Sequence, residues 1–175
     1  MDKIKLRKLS HLSGEDYYYM TYLIILCLDG FAAKTSRVFK DHRKLSYLIQ
    51  IISDEKIADI IEGSIESTIE NPRDRSLLYS SYSKGATHSK DVYKLILTLE
   101  LKGFVEVIKT ISPEIIDVKI NNKNIPQDFF NKAVFEKELN SITKIKNIHK
   151  TIARVGLKTF VEKLYTDKGL RVWVQ

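Results

Sequence analysis

At 175 residues, with 43% hydrophobic and 29% charged positions, the chain can bury a core and is too apolar for a disordered tail. Seven Gly and three Pro leave few places for flexible linkers, and a single cysteine, Cys27, excludes an internal disulfide framework and a cysteine-cluster zinc site. The net charge of +7, with a pI near 9.3, favours partners that carry negative charge.

The first sixteen residues, MDKIKLRKLSHLSGED, are basic and lack the apolar core of a signal peptide. Glu15 and Asp16 supply an acidic first turn for a helix that runs through YYYMTYLIILCLDG and stops near Gly30. Its apolar run, Tyr17 to Leu28, is shorter than the ~20 residues needed to span a bilayer, so a buried central helix in a reducing, cytoplasmic protein is expected. Cys27, inside YLIILCL, is then a small buried thiol rather than a nucleophile.

KTSRVFKDHRKLSYLIQIIS places Leu45, Leu48, Ile49 and Ile52 at helical spacing, with Lys and Arg opposite. Ile57, Ile60 and Ile61 predict a short helix ended near Gly63. Asn71-Pro72 marks a break, after which SLLYSSY reads as another helix ending near Gly85. Ser89 is a suitable N-cap for a helix through Lys102, with Gly103 just past its end. Two strands, Phe104 to Thr110 and Ile115 to Ile120, flank Ser112-Pro113.

Beyond the loop Asn121–Pro126, the spacing of Phe135, Leu139, Ile142, Ile145, Ile148, Ile152 and Val155 predicts one long helix from about Gln127 to Val155. Gly156 interrupts it before LKTFVEKLY, and LRVWV reads as a terminal strand added to the hairpin. The expected fold is mainly α with a small β-hairpin. It comprises a helical N-terminal region (1–85), a winged-helix-like centre (86–123) and a C-terminal part (124–175) with the long helix and terminal strand, all in one compact domain.

Signals for chemistry are sparse. His11, His42, His88 and His149 have no metal-ligand spacing, and GxxxxGK[ST], GxGxxG and GxSxG are all absent. The one dense polar cluster is KDHRK, Lys40 to Lys44. A nuclease would use Asp41 and His42, but an exposed helix face is the favoured reading. No catalytic residue, metal or cofactor is expected, and the chain reads as a non-enzyme.

The helix before the hairpin, SKDVYKLILTLELK, carries a core stripe of Val92, Leu95, Ile96 and Leu99. Beside it lies a second apolar row, Tyr93, Leu97 and Leu101, and only Lys90, Lys94, Thr98 and Lys102 form a polar edge. Base reading needs Arg, Asn or Gln, and this helix has none. A helix apolar on two sides normally has protein on two sides, so docking is favoured, with Ile145, Ile148, Ile152 and Val155 as further candidate anchors on the long helix.

Positive charge concentrates elsewhere. From Lys132 to Gln175, ten Lys and Arg stand against four acidic residues. Lys146, Lys150, Arg154 and Lys158 follow one line, and Lys34, Arg37, Lys40, Arg43 and Lys44 form a second group. Both groups suit either a solvated face or sequence-independent contact with a nucleic-acid backbone.

Three features then carry a resemblance: the helical segment RVFKDHRKLSYLI, the helix–hairpin junction LELKGFVEVIK, and the amphipathic C-terminal helix. In this order they resemble the small middle component of bacterial three-component ABC-ATPase systems, the group that includes the Lamassu anti-phage defence systems. The resemblance implies a non-catalytic, kleisin-like subunit that joins an SMC-type ATPase to an effector, often a nuclease, with only weak, non-specific DNA contact and no membrane. The alternative is a winged-helix transcription regulator, dimeric through its C-terminal helix.

Overall fold

The computed structural model describes residues 17–32, 38–65, 67–130 and 133–174. Among these lie seven α-helices and a three-stranded antiparallel sheet. In chain order they are α1 (Tyr17–Phe31), β1 (Val38–Phe39), α2 (Arg43–Ile52), α3 (Glu55–Gly63), α4 (Pro72–Thr87), α5 (Ser89–Leu101), β2 (Val105–Lys109), β3 (Ile116–Ile120), α6 (Glu136–Ile148) and α7 (Leu157–Leu164). Helix α1 is the hydrophobic centre: Leu23 to Leu28 and Phe31 are all buried, and α2, α5 and α6 pack around it. Burial pushes the Cys27 thiol well above its ordinary pKa, so it is a protonated packing group at neutral pH. No helix among the described residues is long and apolar enough to cross a membrane.

Several helix ends follow from local chemistry. The Asp54 side chain accepts the Lys56 amide and caps α3, and Asn71 accepts the Arg73 amide ahead of Pro72 at the first position of α4. At the end of α5, Gly103 (φ +75°) lets its amide reach the Glu100 carbonyl at 2.8 Å, while Phe104 reaches Leu99 at 2.9 Å. This is a Schellman closure, and it turns the chain directly into β2. Helix α4 runs past Gly85 to Thr87. Gly85 has a packing role: a Cβ there would sit 2.5 Å from the Tyr47 ring and 2.9 Å from its Cα, so α4 can approach α2 only at a glycine.

The sheet has the order β1-β3-β2, with Val105 opposite Ile120 and Lys109 opposite Ile116 in the hairpin. Strand β1 lies inside a segment expected to be helical. Val38 and Phe39 instead pair with Lys119 and Val118, and Phe39 is completely buried.

The C-terminal part differs most from expectation. The long helix is absent; two 3-10 turns, Gln127–Phe129 and Ala133–Phe135, precede a 13-residue α6. After Ile148 the chain tightens into turns, with Ile152 bonded to His149 and both Arg154 and Val155 bonded to Thr151. These turns keep the apolar residues on the inner side without continuing the helix, which is why their spacing imitates one. Nor do residues 170–174 form a strand on the hairpin. They run along α4 instead, where the Tyr82 hydroxyl donates to the Trp173 carbonyl and Arg75 donates to Gly169 at 3.2 Å.

Candidate functional site

The KDHRK segment is not an exposed face. Asp41, His42 and Lys44 are buried, and only Lys40 is open to solvent, with Arg43 half-buried. Asp41 adopts a left-handed backbone (φ 58°), which the short polar side chain tolerates. Its carboxylate accepts Arg43 Nε and Nη2, both at 2.9 Å, and the Leu157 amide at 3.0 Å. His42 exchanges bonds with Ile116: its amide donates to the Ile116 carbonyl at 2.9 Å and its Nδ1 accepts the Ile116 amide at 3.3 Å. Burial holds the His42 pKa below its ordinary value, in keeping with the neutral ring that an accepting Nδ1 requires.

Lys44 corrects an expectation most directly. Its ammonium donates to the carbonyls of Ile152 (2.5 Å) and Val155 (2.6 Å) and lies 4.5 Å from the centre of the Phe39 ring. Burial lowers its pKa to about 8, yet two carbonyl acceptors and an aromatic face still favour the charged form at neutral pH. Lys44 therefore fastens α2 to the 149–155 turn and is not placed to meet a nucleic acid. Arg43 is likewise engaged, in its pair with Asp41.

The same contacts bring the two basic groups together. The Lys40 amide donates to the Ala153 carbonyl at 2.8 Å, so exposed Lys40 lies beside the turn that carries Lys150 and Arg154. Lys146, Lys150, Arg154 and Lys158 are all exposed, and no acidic residue occurs between Leu139 and Val161. Among the described residues none of these cations forms an ion pair, whereas the nearby Lys144 is paired with Glu55 and Asp59. Lys40, Lys150 and Arg154 thus form one exposed basic group, while Lys146 and Lys158 lie on separate helices, α6 and α7, to either side of the turn. Lys34 and Arg37 lie outside the described residues.

The candidate docking residues divide. Ile145 and Ile152 are buried in the protein's own core, and Ile148 and Val155 are partly covered by it. Ile145, on α6, and Ile152, in the turn that Lys44 holds, are therefore corrected from docking anchors to core, whereas Ile148 and Val155 keep part of their surface open. On α5 the outcome is different. Val92, Ile96 and Leu99 are buried, while Tyr93 is 37% and Leu101 89% exposed, with Leu97 between them half-buried. The Tyr93 ring lies 5.2 Å from that of His42. At the tip of the hairpin Ile111 is fully exposed, a feature that sequence pattern alone did not single out.

Comparison with protein-family models, curated proteins and solved structures finds no match to this chain.

Proposed function

We propose that the chain is a non-catalytic accessory subunit, kleisin-like in its middle position, which links an SMC/ABC-type ATPase to an effector in a DNA-sensing bacterial defence complex against phage or plasmid DNA. The observation that carries the docking part of this reading is the second apolar row of α5, where Leu101 stands 89% exposed beside Leu97 and Tyr93. Leaving a leucine at a helix end in water forgoes burial worth roughly 2 kcal/mol, which a partner surface would recover. The exposed basic group of Lys40, Lys150 and Arg154 supports a second contact, to DNA held by the ATPase, through backbone phosphates and without base readout.

A second reading has one observation in its favour. The β1-β3-β2 order and the turn from α5 into the hairpin are what a winged-helix centre would have, with additional helices between β1 and β2. A winged-helix transcription regulator would present α5 to bases. Its exposed polar positions, however, are Lys90, Lys94, Thr98, Glu100 and Lys102, with none of the side chains that read base edges in pairs apart from lysine.

The two are separated by purifying the tagged protein after expression with its native neighbouring genes. A large ATPase co-eluting in stoichiometric amount is the expected result. A lone homodimer that shifts one promoter fragment at physiological salt would overturn the subunit reading.

A further inference from the structure

A groove of about 380 Å³ opens between α4 and the C-terminal segment, lined by Pro72, Arg75, Ser76, Tyr79, Leu170 and Arg171. Its volume is at the small end of the ~300–1,000 Å³ range of ligand sites. Positions 72, 75, 76 and 79 share one face of α4. The opposite wall is the segment after Gly169, whose left-handed turn (φ 89°) ends a 3-10 helix and starts the chain along α4. That wall is held in place by Arg75 on the Gly169 carbonyl and by the Tyr82 hydroxyl on the Trp173 carbonyl. Two aromatic rings stand open to solvent along this line, Tyr79 at 50% and Trp173 at 75%. Tyr79 rests 6.3 Å from Tyr82, which in turn packs on buried Tyr165 at 5.4 Å, so the outer ring is backed by an ordered aromatic stack. No carboxylate lines the groove, and both Arg75 and Arg171 are exposed.

From this arrangement we infer that the α4–tail groove binds single-stranded nucleic acid, with Arg75 and Arg171 on backbone phosphates and unpaired bases stacked on Tyr79 and Trp173. Guanidinium groups beside open aromatic faces suit a ligand that alternates phosphate with flat, apolar rings, which a strand with unpaired bases supplies and a duplex does not. A neutral peptide would leave the charge of both arginines unmatched and would gain little from two aromatic faces that are exposed rather than recessed. Sequence preference is not expected, since every base has a face to stack and both arginines are assigned to phosphates. The inference stands independently of the ATPase reading.

Trp173 is the only tryptophan in the chain and follows the lining residue Arg171 by two positions, so its emission is the probe for this site. The experiment titrates the full-length protein with a 15-nucleotide oligo-dT and with a duplex of the same length, following Trp173 fluorescence. Saturable quenching by the single strand, absent with the duplex, is expected. Tyr79→Ala should weaken the single-strand affinity by at least ~5-fold, the low end of what one stacked base contributes. Arg171→Glu should weaken it further, and Lys150→Glu/Arg154→Glu should leave the quench in place. Both Tyr79 and Arg171 are exposed, so circular dichroism should show these variants folded. Equal quenching by duplex, or quenching that survives Tyr79→Ala and Arg171→Glu while disappearing in the Lys150/Arg154 variant, would overturn the assignment.

Discussion

The carboxylate of Asp41 caps α7 from 116 residues away, accepting the Leu157 amide at 3.0 Å where the helix's own N-cap residue, Gly156, offers no side chain. One residue thereby ties the β1–α2 corner to the last helix, and its pair with Arg43 fixes the carboxylate in place. Asp41→Ala removes the cap, leaves the half-buried Arg43 guanidinium unpaired and places alanine in a left-handed conformation. A loss of about 3 kcal/mol in urea unfolding is expected. Asp41→Asn keeps an acceptor and tolerates the backbone, so it should lose clearly less.

Acid should expose the same tie. Burial pushes the Asp41 carboxyl up, but its hydrogen bond and ion pair with Arg43 and the Leu157 amide outweigh it and hold the pKa below its ordinary value. A depressed folded pKa means that the unfolded chain binds the proton more readily. The stabilisation is therefore complete above the unfolded value of about 4 and is lost as pH falls through the folded one. In Asp41→Asn this part of the acid transition should disappear from a pH titration of stability.

Two neighbouring lysines should behave oppositely. Lys44→Met leaves the Ile152 and Val155 carbonyls without their donor and should cost about 2–4 kcal/mol in chemical denaturation. Lys40→Met removes only an exposed side chain and should change stability by less than about 0.5 kcal/mol.

Two glycines give a similar contrast. Gly85→Ala drives a Cβ against the Tyr47 ring and backbone, and should destabilise by about 1–3 kcal/mol despite alanine's better helix propensity. At Gly63, in α3, nothing lies within 4 Å of a new Cβ. Alanine there should raise stability by about 0.5–1 kcal/mol, seen as a higher Tm.

Which features the sequence disclosed depends on how local their causes are. The α5 end at Gly103, the break at Asn71-Pro72 and the β2–β3 hairpin are set by residues within a few positions of each other, and all were readable. Strand β1 was not, because two residues become a strand only through pairing with β3, some eighty positions on. The inward turn at 149–155 was hidden because Ile152 and Val155 keep helical spacing, while the group that bends the chain is Lys44. Charge type alone placed Lys44 among candidate nucleic-acid contacts. Only its burial distinguishes it from Lys40. For α5 the pattern did disclose a second apolar row, and the structure adds that Leu101, not Leu97, is its open end.

A second pH effect follows from the histidines. Burial lowers the pKa of His149, assisted by Lys163 and Lys168 and opposed by Asp167, and its Nε2 is buried without a hydrogen-bond partner. Burial also lowers that of His42. For both, the unfolded chain takes the proton first, so stability is retained at neutral pH and declines as pH drops below about 6.5. The Tm should fall by several degrees between pH 7.5 and 5.5, and His149→Phe should flatten that slope.

The most direct test of the docking claim is Leu101→Asp, assayed in parallel for Tm and for retention of the proposed ATPase partner. With 89% of its surface in water, Leu101 contributes almost nothing to the core. The account predicts a Tm within about 2 °C of the parent, since exposed substitutions change stability by no more than roughly 0.5 kcal/mol. It also predicts loss of the partner from the eluate. A folded Leu101→Asp protein that retains the ATPase in full stoichiometry would contradict it.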